Sequence, residues 1–260
     1  MKKSIPAVLL AGGLGTRMRE ETEYRPKPMV EIGGQPVLWH IMKILNNAKI
    51  NEFIVCTGYK GHQIKDYFLN YHANQSDVTV QLNKLSEIEI HKEAPEVDWA
   101  VTVANTGLNT MTGGRVNKIR KYVGDRSFLV TYGDGLADIN IEELLEFHKS
   151  HGKIATVTTV KPLSRFGVMD ISSTGEVTKF REKPQVDDWI NIGYFVFEPE
   201  LFDYLSDDSV LEEEPLRALS NQGELMAYKH SGFWQPMDTY RESLLLNELW
   251  NQGKAPWKSW

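Results

Sequence analysis

The sequence is poor in cysteine, in net positive charge and in long apolar runs. Its 260 residues contain one cysteine, so no disulfide within the chain can stabilise it, and a chain of this length can bury a core without one. Lysine and arginine number 29 against 35 aspartates and glutamates, a net charge of −6, which argues against general affinity for nucleic acid or an anionic membrane. Any phosphate must therefore be bound locally.

Membrane insertion and export are disfavoured on similar grounds. No run reaches the roughly 18 apolar residues that a membrane-spanning helix needs. The N-terminal segment "MKKSIPAVLLAGG" superficially resembles a secretion signal, but its apolar run is short, no A-x-A cleavage site follows, and charged residues resume at Arg17. We therefore expect a cytoplasmic protein without a membrane partner.

Strand-like apolar runs alternate with helical patterns over the first 160 residues. We expect strands at 5–10, 52–57, 128–131 and 154–160, and helices at 37–47, 62–71 and 141–151. This alternation is typical of βαβ units and predicts an α/β fold with a mixed, mostly parallel central sheet flanked by helices. Such sheets bind ligands at the carboxyl ends of their strands. Cys56, inside an expected strand, is predicted to be a buried structural thiol.

The pattern changes twice along the chain. Residues 77–104 contain the extended segments "DVTVQLN", "EIEIHKE" and "WAVTVAN", which predict an antiparallel ribbon. After Lys161 the sequence is β-rich, in "FGVMDIS", "GEVTKFRE" and "NIGYFVFEP", before helical patterns return at 213–222 and 239–251. We therefore interpret residues 1–260 as a single domain, with a first half over 1–160 and a β-rich second half over 161–260 packed against it.

The segment "AVLLAGGLGTR" places three glycines directly after an expected strand. Gly12, Gly13 and Gly15 let backbone N–H groups approach an anion without a Cβ in the way. A G-x-G-x-x-G dinucleotide loop would need glycine where Met18 stands, and no helical pattern begins directly behind the loop. A Walker loop would need G-K-[ST], which is also missing. We expect an anion-binding loop of another kind, the alternative being an ordinary tight turn.

A lysine held between two prolines follows the glycine loop. Lys27 stands between Pro26 and Pro28 in "RPKPM". The prolines fix φ on either side and favour extended backbone before them, so the ammonium is presented with little freedom left to lose. With Arg17 this places two positive charges beside the loop, unless both are incidental surface cations.

Two aspartates are candidates for binding a metal ion. Asp134, in "TYGDG", follows an expected strand, where a carboxylate can hold Mg²⁺ that bridges to substrate phosphates, although Gly-Asp-Gly also forms ordinary turns. Asp238, in "GFWQPMDT", is the best second carboxylate, and it is also a candidate N-cap for the helix expected at 239–251.

Other acidic and histidine clusters are given no role in binding. The runs "LEEEPL" and "SDDS" are predicted to be solvated helix ends. His148 and His151 have i, i+3 spacing but no evident third ligand, and histidines are common in the last turn of a helix. We do not expect them to bind metal.

Together these motifs resemble those of the sugar-phosphate nucleotidyltransferases. The shared pattern is the "LAGGLGTR" loop, the downstream "KPM", the strand-end "GDG" and the later "EKP" at 182–184. Within this superfamily the sequence is similar to the cytidylyltransferase group, through "RPKPMVEIGGQPVLWHIMK", "GYKGHQIKDYF", "MTGGR", "TYGDG", "RFG", "GELMAY", "GFWQPMDT" and "APWKSW". The resemblance covers essentially the whole chain.

The resemblance implies a Rossmann-like nucleotidyltransferase fold and the transfer of CMP from CTP to α-D-glucose 1-phosphate, giving CDP-glucose and pyrophosphate for deoxysugar and O-antigen synthesis. It implies a homo-oligomer whose residues 1–160 bind the nucleotide and whose residues 161–260 bind the sugar phosphate. The implied cofactor is Mg²⁺ on Asp134 and Asp238, with Arg17 and Lys27 also catalytic. The implied nucleotide-binding residues are Leu10, Ala11, Gly12, Gly13, Leu14, Gly15, Thr16, Arg17, Lys27, Thr110, Arg115, Gly133 and Asp134. The implied sugar-phosphate-binding residues are Gly167, Glu182, Lys183 and Asn191.

Several alternatives stay open at this stage. A uridylyl- or thymidylyltransferase acting on a hexose 1-phosphate shares the same motifs, and a non-catalytic nucleotide-sugar sensor would share the fold. The sequence departs from the group's pattern at Ile192, where a second glycine is expected, at Asn105 and at Leu211. The apolar tail "APWKSW" is expected to pack either on its own domain or on a neighbouring subunit.

Overall fold

A seven-stranded sheet lies at the centre of the fold. The structure, a computed structural model, describes residues 5–83, 88–91, 98–164 and 166–260. The strands are β1 (Ala7–Ala11), β2 (Glu31–Ile32), β3 (Gln35–Pro36), β4 (Glu52–Thr57), β5 (Asp77–Val80), β6 (Ile88–His91), β7 (Ala100–Asn105), β8 (Phe128–Tyr132), β9 (Gly135–Ala137), β10 (Ala155–Val160), β11 (Val168–Ile171), β12 (Val177–Arg181), β13 (Ile190–Phe197), β14 (Leu225–Lys229) and β15 (Trp234–Pro236).

The helices connect these strands. They are α1 (Arg19–Thr22), α2 (Val37–Asn47), α3 (Gly61–Leu69), α4 (Tyr71–Asn74), α5 (Thr112–Lys118), α6 (Arg120–Val123), α7 (Ile141–His151), α8 (Glu214–Asn221) and α9 (Tyr240–Asn251), with 3₁₀ turns at Thr16–Met18, Lys27–Met29 and Pro199–Tyr204. None of the helices in the described part of the chain has the length and apolar character needed to span a bilayer.

The strand order in the central sheet is β14-β10-β13-β8-β1-β4-β7. The pairs β1/β4, β1/β8, β4/β7 and β10/β14 are parallel, whereas β13 runs antiparallel to both of its neighbours, β8 and β10. The predicted α/β fold with a mixed, mostly parallel sheet is therefore confirmed.

The sheet is covered on both faces, which explains why its inner strands are continuous apolar runs. Alternate residues of β1 point to opposite faces: Leu9 packs in a cluster with α2, whereas Val8 packs in a cluster with α5 and α8. In β4, Cys56 is buried as predicted, and burial raises the pKa of its thiol to about 12.

Two local expectations are wrong. The segment at 99–105 was expected in the antiparallel ribbon, but β7 pairs in parallel with β4 at one edge of the central sheet, leaving β5 and β6 to form the ribbon. Helical structure does begin directly behind the glycine loop, with the 3₁₀ turn at Thr16–Met18 and α1. Of the expected segment at 87–93, residues 87, 92 and 93 lie outside the described residues, as does residue 165 of "RFG".

The second half of the chain shares the central sheet with the first. β10 lies between β14 and β13, and β13 pairs with β8, so strands from both halves are hydrogen-bonded neighbours. β11 and β12 form a separate two-stranded ribbon.

The C-terminal tail packs on its own domain, one of the two expected arrangements. Trp257 is buried, its ring stacks 5.7 Å from Phe233, and its Nε1 donates to His40 Nδ1 at 3.4 Å. Trp260 lies edge-on to Trp39 at 5.8 Å. The tail therefore closes over α2, the helix that follows the lysine-bearing turn.

Candidate active site

The loops that follow β1 and β8 meet at the carboxyl edge of the sheet. Leu10 pairs with Tyr132 at the ends of the two strands, and the N–H of Gly133 donates to the Leu10 carbonyl at 3.0 Å. A cavity of about 360 Å³ opens there. It is lined by Leu10, Ala11, Gly12, Gly13, Gly15, Thr16, Arg17, Lys27, Pro28, Thr110, Met111, Thr112, Arg115, Tyr132, Gly133, Asp134 and Asp238.

This cavity contains the implied nucleotide-binding residues with one exception. Leu14, at the tip of the glycine loop, does not line it and has half of its surface exposed. Pro28, Met111, Thr112 and Tyr132 line the cavity although sequence reasoning did not select them. The quoted motifs contained all four, so their neighbourhood in sequence was the available signal.

Glycine is required in the loop by conformation at one position and by packing at another. Gly15 has φ of 64°, and a Cβ there would come within 2.6 Å of Thr22 Cγ2. Thr22 closes the loop by donating its hydroxyl to the carbonyl oxygens of Gly15 and Met18, each at 2.9 Å. At Gly12 a Cβ would lie 2.2 Å from Arg115 Nη1, so a guanidinium occupies the space that a side chain would need.

Lys27 joins the two candidate metal-binding aspartates. Its Nζ donates to Asp134 Oδ2 and to Asp238 Oδ1, both at 2.5 Å, and its side chain is 13% exposed. Burial is the largest single influence on the pKa of Lys27 and lowers it, but the two carboxylates together outweigh burial, so this pKa lies above its ordinary value. Lys27 is therefore a fully charged ammonium at neutral pH.

Arg17 adds a second cation to this group. Its Nη1 donates to Asp238 Oδ2 at 2.9 Å, while most of the Arg17 side chain faces solvent. The four residues implied to be catalytic thus form one connected cluster, although they come from four separate segments: the glycine loop, the "KPM" turn, the end of β8 and the segment after β15.

The pair of aspartates fits a divalent cation. Both carboxylates direct an oxygen at a single point, which the Lys27 ammonium holds, and Mg²⁺ takes oxygen ligands while keeping positions for waters and substrate phosphates. Within the ranges that the structure describes, no three His, Cys, Asp or Glu side chains are grouped to hold a metal ion. Two carboxylates with the remaining ligands from water and phosphate is the usual arrangement for Mg²⁺ with nucleotides.

The N-cap of α9 is Thr239 and not Asp238. The Thr239 hydroxyl accepts from the Glu242 N–H, and the Glu242 carboxylate accepts from the N–H groups of Thr239 and Asp238, which completes a capping box. The expectation that Asp238 caps this helix is therefore wrong. The adjacent cap fixes the backbone at Asp238 while its carboxylate binds Lys27 and Arg17.

Arg115 braces three loops around the cavity. It is 4% exposed, and its Nη1 donates to Thr57 O at 3.1 Å, Thr106 Oγ1 at 2.7 Å and Gly107 O at 2.8 Å. Its Nη2 donates to Gly12 O at 3.1 Å and to Leu108 O at 3.2 Å. Burial lowers the pKa of Arg115, yet a guanidinium stays charged at any ordinary pH. The buried charge therefore holds the glycine loop against the loops after β4 and β7.

Thr110 has its hydroxyl directed inward. Its Oγ1 donates to Thr106 O at 2.7 Å and accepts from Lys118 Nζ at 3.0 Å. Thr110 and Arg115 thus both bond to Thr106, and both line the cavity.

The implied sugar-phosphate residues lie outside the lining of this cavity. Gly167 and Glu182 are neighbours, since a Cβ on Gly167 would lie 3.1 Å from Glu182 Oε2. Lys183 is exposed and has φ of 44°, a left-handed conformation that is rare for lysine. Asn191 Oδ1 accepts from the N–H of Gly193 at 2.8 Å. Asn191 lies in β13, the strand that pairs with β8. Gly167 directly precedes β11, and Glu182 and Lys183 directly follow β12.

Glu212 does not fit the expectation of a solvated helix end. Its Oε1 accepts the hydroxyl of Tyr132 and its Oε2 accepts that of Thr112 at 2.7 Å. Both hydroxyl partners line the cavity, and they precede Glu212 by 80 and 100 residues. Sequence reasoning missed this contact because the run "LEEEPL" offers three equivalent glutamates and no local signal that separates them.

Comparison with known proteins agrees with this geometry. The model of the family described as "Nucleotidyl transferase" matches residues 6–235. The chain is 52% identical over 257 residues to a glucose-1-phosphate cytidylyltransferase of Salmonella typhi, covering 98% of this chain and 99% of that protein. It is 45% identical over 256 residues to a probable glucose-1-phosphate cytidylyltransferase of Bacillus subtilis (strain 168), covering 98% and 99%.

A solved structure shows the same fold at low identity. The crystal structure of a putative glucose-1-phosphate thymidylyltransferase from Bacillus anthracis superposes with a TM-score of 0.69, 18% identity and 95% coverage of each chain. The loop, the cluster around Lys27 and these similarities lead to one conclusion. The chain belongs to the nucleotidyl transferase family.

Proposed function

We propose that the protein transfers CMP from CTP to α-D-glucose 1-phosphate and releases pyrophosphate. The proposal rests on one observation. Lys27 binds both Asp134 and Asp238, and Arg17 binds Asp238, in the cavity that the glycine loop lines. The choice of CTP and glucose 1-phosphate is supported by the relative that is 52% identical over 98% of the chain and carries that activity in its name.

The reaction is an in-line displacement. An oxygen of the sugar phosphate forms a bond to the α-phosphorus of CTP, while the bond from that phosphorus to the pyrophosphate oxygen breaks. The attacking oxygen is already ionised at neutral pH, so no general base and no covalent nucleophile is needed. The barrier is electrostatic, because two polyanions must approach and negative charge must move onto the leaving group.

The side chains of the cluster act on this charge. Arg17 and the N–H groups of the glycine loop bind the leaving pyrophosphate, and Lys27 contacts the α-phosphate. Asp134 and Asp238 would hold Mg²⁺, which would neutralise phosphate charge and polarise the phosphorus under attack. Lys27 is paired with both carboxylates in the structure, and its ammonium exchanges carboxylate for phosphate partners when substrates bind.

The remaining assignments extend this proposal. Residues 1–160 supply the nucleotide side of a single domain and residues 161–260 the sugar-phosphate side, where Lys183 contacts the attacking phosphate and Glu182 and Asn191 contact the sugar near Gly167. The left-handed backbone of Lys183 supports a binding role, because strained conformations cluster at ligand sites. The protein acts in the cytoplasm as a homo-oligomer.

The test is a matrix of CTP, UTP and dTTP against several hexose 1-phosphates, with Mg²⁺ and pyrophosphatase, reading phosphate release. Activity with CTP and glucose 1-phosphate, lost in Asp134→Asn, is the expected result. Activity confined to UTP or dTTP would refute the cytidylyl assignment and leave the mechanism in place. Tight binding of a nucleotide sugar without any turnover would instead make the protein a sensor.

A further inference from the structure

Two hydroxyl groups in the wall of the cavity share one carboxylate. Thr112 begins α5 and Tyr132 ends β8, and both line the cavity. Each donates its proton to Glu212, Tyr132 to Oε1 and Thr112 to Oε2 at 2.7 Å. Glu212 is half-buried behind them, in the segment that leads into α8. One side chain therefore determines the direction of two hydroxyl groups.

This arrangement gives the two hydroxyls a single polarity. A carboxylate only accepts, so each O–H bond must point toward Glu212, away from any other partner. Each oxygen then meets a ligand through its lone pairs. Thr112 uses one lone pair to accept from the N–H of Leu211 at 2.9 Å and keeps the other. The wall formed by Tyr132 and Thr112 is thus an acceptor surface.

Thr110, which also lines the cavity, has the same polarity. Its hydroxyl proton points inward to the Thr106 carbonyl at 2.7 Å. Three hydroxyl groups of residues that line the cavity therefore direct their protons into the protein, and the carboxylate of Glu212 is responsible for two of them.

An acceptor surface distinguishes the pyrimidine bases. Cytosine carries a 4-amino group, which donates, whereas uracil and thymine carry O4, which accepts. When a hydroxyl acceptor faces O4 of uracil or thymine, neither the hydroxyl oxygen nor O4 finds a hydrogen-bond donor, and both are removed from water. The free-energy cost of such unpaired groups makes a hydrogen-bonding site reject the wrong base more strongly than it favours the right one.

From this geometry we infer that Glu212 is a positioning residue for base recognition, which orients Tyr132 and Thr112 as acceptors for the 4-amino group of cytosine. The inference rests on the proposed function, since it explains how a nucleotidyltransferase with this cavity selects CTP over UTP and dTTP. Glu212 touches no reacting atom; it acts through the two hydroxyls.

The test is Glu212→Gln, assayed for kcat/KM with CTP and with UTP at fixed glucose 1-phosphate. The amide group of glutamine donates as well as accepts, so one hydroxyl must accept from it and can turn its proton toward the base. We expect the ratio of kcat/KM for CTP to that for UTP to fall by about tenfold or more, with UTP activity rising.

Glu198→Gln is the matched control. Glu198 also accepts a hydroxyl, that of Ser127 at 2.8 Å, but it follows β13 at the opposite edge of the sheet from the cavity. Glu198 also bonds to His148, so replacing this carboxylate should affect stability and not the recognition of the nucleotide base. The control is expected to keep the wild-type CTP to UTP ratio.

The outcomes separate this inference from the proposed function. A wild-type enzyme that prefers CTP, with an unchanged ratio in Glu212→Gln, overturns the inference alone and makes Glu212 a structural residue. A wild-type enzyme that prefers UTP or dTTP overturns both. If Glu212→Gln does not fold, Tyr132→Phe is tested instead. This variant removes one acceptor, so the KM for CTP must rise while activity with UTP does not increase. Unchanged KM values for both nucleotides overturn the inference.

Discussion

Lys27 Nζ lies 2.5 Å from Asp134 Oδ2, although 107 residues separate them in sequence. The same ammonium lies 2.5 Å from Asp238 Oδ1, so a single lysine forms ion pairs with two carboxylates from opposite halves of the chain. Without Lys27, the two negatively charged carboxylates would lie close together in a half-buried site, where they repel each other. Lys27 therefore organises the site before any substrate binds.

Lys27→Ala is expected to keep the fold and to lose turnover. Removing one preorganised cation from a phosphoryl-transfer site costs on the order of 10² to 10⁴ in kcat. Steady-state kinetics with CTP and glucose 1-phosphate measures the loss, and circular dichroism checks the fold. Lys254→Ala, at an exposed position three residues after the end of α9, is the control and should match wild type. Near-wild-type kcat/KM in Lys27→Ala would remove this lysine from the mechanism.

Asp238 and Thr239 are adjacent, yet their substitutions should have different effects. Thr239→Ala removes the N-cap hydroxyl of α9 and should lower the free energy of unfolding by about 1 kcal/mol while turnover persists. Asp238→Asn removes a carboxylate from Lys27 and Arg17, and should abolish most turnover with a smaller effect on stability.

Urea unfolding and kinetics of both variants distinguish the roles of this pair. If Asp238→Asn retained turnover while Thr239→Ala lost it, the assignment of the carboxylate to chemistry and of the hydroxyl to capping would be reversed.

The sheet could be predicted because its strands are buried on both faces. β4 and the helices α2 and α7 have the expected bounds, since their apolar patterns coincide with burial of one helix face or of five of the six residues of the strand. β7 was assigned to the wrong sheet because it lies at an edge, where only one of its six residues is buried and the pattern matches that of a free ribbon.

The charged part of the site was also predictable, whereas its hydrogen-bond network was not. Arg17, Lys27, Asp134 and Asp238 stand out because glycines and prolines surround them. Arg115, expected to bind the nucleotide, lines the cavity, and in the structure it also bonds to backbone carbonyls of three loops and to Thr106 Oγ1, contacts that have no signature in sequence. Glu212 was missed for the same reason, because its partners are brought to it only by the fold.

Arg115→Lys is expected to weaken CTP binding more than catalysis. A lysine has three donors from one point and cannot reach the five acceptors of Arg115, so some of the carbonyls at Gly12, Gly107 and Leu108 lose their partners. The glycine loop should shift, raising the KM for CTP about tenfold with a smaller change in kcat.

Arg126→Lys is the control for the loss of a partly buried guanidinium. Arg126 binds Glu52 with two hydrogen bonds, at 2.6 and 2.8 Å, next to the start of β4 and away from the cavity. The Arg126→Lys substitution should lower the melting temperature without changing the KM for CTP. Equal KM values in Arg115→Lys and Arg126→Lys would show that Arg115 has a purely structural role.

His40 should make stability fall below neutral pH. It is fully buried, its Nε2 lies 2.8 Å from the Ile32 carbonyl, and Trp257 Nε1 donates to its Nδ1 at 3.4 Å, so the ring is neutral. Burial lowers the pKa of His40 from 6.5 to about 4. As the pH falls below 6.5, His40 binds a proton in the unfolded chain but not in the folded chain. The free energy of unfolding therefore decreases progressively from pH 6.5 to about 4.

The loss attributable to His40 is on the order of 3 kcal/mol across that range. Urea unfolding at pH 7.5 and at pH 5 measures the greater part of this loss, by comparing wild type with His40→Gln, which keeps a donor and an acceptor but does not titrate. His148, whose pKa burial also lowers, stays in both proteins, so its contribution cancels. The variant should lose less stability than wild type between the two pH values; an equal loss would show that His40 is not the titrating group.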